Sequence, residues 1–137
     1  MSVSKPPSSV GEMLYCIRQE LGISQAAAAN LIEISIGYLS EIENGKRPTP
    51  SQKTILKIAT GLALSDKKKT DLLSLATAER ITAHLRKTLP PETIDLMIFF
   101  QVWAPHIDRQ TLNEIRQHLF EATSKPRGGH NANYGAH

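Results

Sequence analysis

Residues 24–47 read SQAAAANLIEISIGYLSEIENGKR, and this stretch decides the fold. Gln25 to Leu31 carries Ala26, Ala27, Ala28 and Ala29, strong helix formers whose small side chains let another helix approach closely. After Glu33-Ile34, Ser35 can cap a second helix, on which Leu39 and Ile42 lie three apart and face inward. Asn44-Gly45 then ends it, since both residues tolerate the left-handed conformation found after helix C-termini. The spacing predicts two short helices held at an angle by a tight turn, with a basic exit at Lys46-Arg47. Ile36, Gly37, Ser40 and Glu41 fall on the outer face of the second helix.

Outward from this pair, Ser9-Val10-Gly11-Glu12 reads as a capping box that opens a first helix carrying Val10, Met13, Leu14, Ile17 and Leu21, closed by Gly22. Thr49-Pro50-Ser51-Gln52 reads as another box, with proline at the first helical position, before a helix that buries Ile55, Ile58, Ala59 and Leu62. Ser65-Asp66 caps a fifth helix with Leu72, Leu73, Leu75 and Ala76. Ala78 to Leu89 reads as a sixth, stopped by Pro90-Pro91. The seventh, from Pro91-Glu92, is apolar on nearly every side through Ile94, Leu96, Met97, Ile98, Phe99, Phe100, Val102 and Trp103, so it must be buried. Asp108 caps a last helix with Leu112, Ile115 and Leu119 inward. Residues 1–8 are Ser/Pro-rich and residues 123–137 hold no core former beyond Tyr134, so both read as disordered.

With 137 residues the chain suits one domain, or one small domain with an oligomerising extension. The single cysteine, Cys16, rules out an internal disulfide and any cysteine-based zinc site, and reads as a small buried residue of the first helix. No signal peptide is visible in residues 1–12, and the longest apolar run, Leu96 to Phe100, is too short to span a bilayer, so a cytoplasmic protein without a membrane partner is expected. The net charge is +3, unevenly spread. Residues 1–65 hold six Lys/Arg against five acids, residues 66–90 six against three, and residues 91–137 four against five. Affinity for a polyanion would rest on a few placed cations rather than on a general field. Lys67-Lys68-Lys69 reads as a solvated face.

The order Leu21-Gly22-Ile23-Ser24-Gln25, then Ala29, then Tyr38-Leu39-Ser40, then Ile42-Glu43-Asn44-Gly45-Lys46-Arg47 with Pro50 beyond, resembles the phage repressor and Cro type of DNA-binding domain, the XRE family. The resemblance covers roughly residues 10 to 76. It implies an all-α fold, a five-helix, repressor-like helix-turn-helix domain over residues 9–77; beyond it the resemblance stops, and the residues themselves read as a C-terminal helical region over 78–122 and a tail over 123–137. An apolar helix in so short a chain has few surfaces of its own to cover it, which makes 78–122 the expected dimerisation unit, with Leu96, Phe99, Phe100 and Trp103 at its centre. The competing reading is that these helices enlarge one monomeric core.

On this resemblance the chain holds DNA and reads it with different groups. Gln25, Ser35, Tyr38, Asn44, Lys46 and Arg47 match positions that contact phosphates, with helix N-termini adding backbone amides. Arg18 and Glu43 match an ion pair that fixes the angle of the recognition helix. At the reading positions, Ile36 can touch a thymine methyl, Gly37 permits close approach, Ser40 can donate or accept, and Glu41 can accept from a cytosine amino group or pair with a nearby cation. None makes the common arginine-to-guanine contact, so shape readout and bivalent binding are expected to carry much of the specificity. Glu33 stands where the family usually has glycine.

An enzyme would need a constellation, and the sequence offers none. The five histidines show no metal-ligand spacing, and no phosphate-binding loop or nucleophile motif is present. No cofactor or metal is expected. The partners implied are double-stranded DNA and a second copy of the chain; an effector and the choice between repression and activation are not legible. The reading is a homodimeric, sequence-specific transcriptional regulator, a repressor acting on a palindromic operator and on its own promoter. The alternative is a helical protein-interaction adaptor with little DNA specificity.

Overall fold

Serine opens the first five helices. In the computed structural model, which describes residues 5–124, Ser9, Ser24, Ser35, Ser51 and Ser65 are all extended, and each Oγ accepts a hydrogen bond from the N–H three residues on. They start α1 (Val10–Leu21), α2 (Gln25–Ile32), α3 (Ile36–Glu43), α4 (Gln52–Gly61) and α5 (Asp66–Thr82). A 3₁₀ turn (Ala83–Lys87), α6 (Pro91–Val102) and α7 (Arg109–Ser124) follow, and no strand occurs among the described residues.

Two boxes differ from their sequence reading. Glu12 reaches back to the Ser8 N–H at 3.1 Å rather than to that of Ser9. The cap of α4 is Ser51, not Thr49, and Pro50 stays outside the helix, because Thr49 and Pro50 are engaged elsewhere: the Thr49 hydroxyl donates to Glu79 at 2.7 Å, and the Pro50 carbonyl accepts from Arg80. The expected break between a fifth and a sixth helix at 77/78 is absent. Ala76 and Ala78 are good helix formers, nothing there breaks a helix, and α5 runs on to Thr82 before tightening into the 3₁₀ turn ahead of Pro90.

The chain forms two compact units, one ending at Pro105 and one beginning at His106. In the first, Leu14, Ile32, Leu39, Ile55, Ile58, Leu72 and Leu75 are fully buried where α1–α5 converge. Ile94 and Ile98 of α6 join this same cluster by packing on α5. The helix that reads as apolar all round is therefore half-covered within one chain, while Leu96 and Phe99 on its other side are 44% and 37% exposed. Part of that side meets residues 5–8, which were expected to be disordered. Ser8 is buried, Lys5 pairs with Asp95 at 3.4 Å, and Trp103 Nε1 donates to the Pro7 carbonyl at 2.9 Å. Cys16 and Leu21, expected inside, are exposed because they point off the packed face of α1.

The second unit contains α7. Asp108 caps it, accepting from the Thr111 N–H at 2.9 Å, and this hydrogen bond, with that from the Thr111 hydroxyl, holds the Asp108 carboxyl below its usual range. Of the residues expected inward on α7, Leu112 and Leu119 are exposed, as is Phe120, while Ile115 is half-buried. The expected tail lies almost wholly outside the described residues, as do residues 1–4.

Candidate nucleic-acid interface

The turn between α2 and α3 is set by backbone rather than by side chains. Glu33 adopts the left-handed conformation (φ 66°), and the Ile34 N–H returns to the Ala29 carbonyl at 3.0 Å. A non-glycine residue there costs on the order of 1 kcal/mol. Lys57 of α4 donates to the Glu33 carbonyl at 3.1 Å, satisfying one of the acceptors left at the end of α2.

Burial of Leu39 and Ile42 fixes which way α3 faces. Ile36, 51% exposed, and Gly37, with open space where a Cβ would stand, lie at its exposed N-terminal end. Ser40 accepts from Asn44 Nδ2 at 3.3 Å. Glu41 is already paired: Arg47 Nε donates to its Oε1 at 2.7 Å, while the Arg47 guanidinium lies 5.1 Å from the Tyr38 ring. The Glu41 carboxylate holds Arg47 above the usual arginine range. Three residues singled out by sequence, Tyr38, Glu41 and Arg47, thus form one group, with Arg47 exposed, Glu41 half-buried and Tyr38 half-buried against the core. Lys46 and Ser35 are exposed beside it, and the Ser35 Oγ is occupied as the cap of α3.

Behind this surface lies a fork. Arg18 Nε and an Arg18 terminal nitrogen donate to the two Glu43 oxygens at 2.8 and 2.9 Å, the other terminal nitrogen donates to the Ile23 carbonyl at 3.0 Å, and Gln25 Nε2 donates to Glu43 at 3.0 Å. The side chains of Arg18 and Glu43 are 11% and 4% exposed. Burial pushes the Glu43 carboxyl up, but the hydrogen bonds from Arg18 and Gln25 and the Arg18 charge outweigh it and leave the group below its usual value. The Glu43 hydrogen bond correspondingly raises Arg18. This ties the end of α3 to α1 and to the first residue of α2. One Gln25 amide hydrogen serves the fork, and the second is available to a ligand.

Leu96, Phe99 and Phe100, expected from sequence to dimerise, lie on α6, and Trp103 is its C-cap. Phe99 and Phe100 meet edge to face at 6.0 Å between centroids, and Trp103 is tied to Pro7. Sequence reading missed Glu79. Its carboxylate accepts from the Val10 N–H and from Thr49, joining α5 to the start of α1 and to the loop after α3, and no local pattern signals contacts across 69 and 30 residues. It also missed Gly11, whose absent Cβ would lie 2.8 Å from the Glu43 carbonyl oxygen. Among the described residues no cluster of His, Cys, Asp or Glu is arranged to hold a metal ion, and no helix is long and apolar enough to cross a membrane.

This architecture is that of a helix-turn-helix domain. The family described as Helix-turn-helix domain matches residues 11–76, and that segment belongs to it, as an XRE-type member. The chain is also similar to the HTH-type transcriptional regulator RamB of two strains of Mycobacterium tuberculosis, CDC 1551 / Oshkosh and ATCC 25618 / H37Rv. In each case the identity is 33% over 91 residues, which is 65% of this chain and 18% of the relative. The chain thus spans less than a fifth of the length of these relatives. No solved structure matches it.

Proposed function

We propose that this protein is a double-stranded-DNA-binding transcriptional regulator, a homodimeric repressor acting on a palindromic operator and on its own promoter. The observation that carries the reading is α3 itself, a short helix with Leu39 and Ile42 anchored inward, Ile36 and Gly37 bare, and Arg47 and Lys46 beside it. Inserted into a major groove, such a helix places Ile36 against thymine methyls and lets the backbone at Gly37 approach base edges. Phosphates are held by Arg47, Lys46, Tyr38, Asn44, the free Gln25 hydrogen and the amides at the start of α2 and α3. The Arg18–Glu43–Gln25 fork keeps α3 at a fixed angle to the residues that hold phosphate. The similarity to a transcriptional regulator supports the same reading. Bare apolar residues on α6 and α7 support self-association, which would set two recognition helices about 34 Å apart on one face of the duplex.

The test is a salt titration of binding to DNA from upstream of the protein's own gene beside scrambled DNA of equal length. A preference of about 10³-fold with a slope of about −0.9 per phosphate contact supports a sequence-specific regulator. Equal, weak binding to both rejects it and favours the adaptor. Arg47→Ala should weaken binding to both DNAs and flatten the salt dependence by about one phosphate, whereas Ile36→Ala should alter preference among sites with little effect on scrambled DNA.

A further inference from the structure

The loop that leaves the recognition helix does not end the basic surface. A groove of about 500 Å³ runs from Arg47 and Pro48 in that loop, past the start of α1, to Arg80 and Arg86 at the end of α5 and in the 3₁₀ turn. Its floor is apolar, with Val10, Ile42 and Ala83, and its one acid is Glu79. Both Glu79 oxygens are engaged, one by the Val10 N–H and the other by the Thr49 hydroxyl, so this charge is largely satisfied within the protein. Arg80 is aimed by a hydrogen bond to the Pro50 carbonyl. Arg86 is exposed and, among the described residues, has no acid within ion-pair distance. Of the six cations in residues 66–90, Arg80 and Arg86 line the groove and Lys87 follows them, while Lys67, Lys68 and Lys69 stand at the other end of α5.

We infer that this groove is a second phosphate-binding surface, which takes the sugar–phosphate backbone of the duplex flanking the bases faced by α3, with Arg86 as its outermost contact. The inference rests on the DNA-binding reading. A polyanion fits because Arg80 and Arg86 line the groove beside one satisfied carboxylate, with Arg47, paired to Glu41, at its mouth. The backbone of the same duplex is the favoured source because the groove is continuous with Arg47. A second copy docked here about a two-fold axis would bring the same arginines against one another. Arg86 therefore adds affinity for any sequence and no base preference of its own.

The experiment measures binding of the full chain to a random-sequence 30-base-pair duplex between about 0.05 and 0.3 M salt, for wild type, Arg86→Ala, Arg86→Lys, Arg47→Ala and Lys5→Ala, with thermal melts to show that each is folded. Arg86→Ala should reduce the log–log slope by about 0.9 and the affinity about 8-fold at 0.1 M salt, which is one phosphate contact by counterion release. Arg86→Lys should restore the slope, and Lys5→Ala, whose ammonium pairs with Asp95 on α6, should leave it unchanged. If wild type binds and Arg47→Ala weakens it while Arg86→Ala leaves the slope intact, the groove inference falls and the regulator reading stands. If wild type shows no salt-dependent binding, both fall. Titration with ATP covers the free-phosphate source: binding of ATP that Arg86→Ala abolishes, with an unchanged DNA slope, makes the groove a nucleotide site and overturns the inference.

Discussion

A methyl group on Gly61 would stand 2.7 Å from both the Ile32 Cα and the Leu31 carbonyl oxygen, backbone atoms that cannot rotate away. Gly61→Ala should therefore destabilise the fold by about 1–3 kcal/mol in chemical denaturation, since α4 must move off α2. Gly37 provides the contrast. With open space around it and a helical backbone, Gly37→Ala should stabilise the protein by about 0.5–1 kcal/mol while changing DNA affinity. Equal effects on stability would contradict the assignment of one glycine to packing and the other to a binding surface. Glu43 makes a pH prediction. Its folded pKa lies below the unfolded value near 4.5, so its contribution is present above that value and is lost as pH falls through the lower folded one. Glu43→Gln should flatten the acid limb of stability against pH, and an unchanged limb would mean that other carboxylates carry it.

Five helices beginning on the same chemistry explain why their starts are legible in the chain. A serine hydroxyl three residues before an N–H is a local device, read without knowing what the helix packs on. Where two candidate caps stand close together, tertiary contacts choose between them. Ser51→Ala should cost about 1 kcal/mol by loss of the α4 cap. Thr49→Ser should cost less in thermal melts, since a serine hydroxyl can keep the bond to Glu79. A Ser51→Ala variant as stable as wild type would mean that Ser51 does not cap α4. The end of α5 was illegible for the complementary reason: an alanine-rich stretch permits either continuation or a break, and packing against α6 favours a single long helix.

Two of the exposed apolar surfaces among the described residues bear on self-association. One side of α6 carries Leu96 and Phe99, partly covered by Pro6 and Pro7, and α7 carries a bare stripe of Leu112, Leu119 and Phe120. If these surfaces join two copies, Phe99→Glu should shift the chain from dimer to monomer in sedimentation at micromolar concentration. It should also lower affinity for a palindromic site by roughly 10²-fold or more through loss of bivalency, while leaving half-site binding intact. A wild-type protein that sediments as a monomer would remove the dimer from the reading.

What is local in this chain could be read from it: the serine caps, the 3.6-residue rhythm that turns Leu39 and Ile42 inward, and the left-handed exits at Gly22 and Gly45. Each depends on atoms within about one helical turn, where residue type and spacing settle the conformation. The site was legible to the same depth, because the outer face of α3 follows from its inner one. What only the tertiary structure decided lies between distant segments: Glu41 turned to Arg47, Glu79 joining α1 to the loop after α3, α6 sharing the core of α1–α5, and residues 5–8 laid on Trp103. A side chain at any of those positions has several partners within reach of its chemistry, and only the packing of whole helices selects among them.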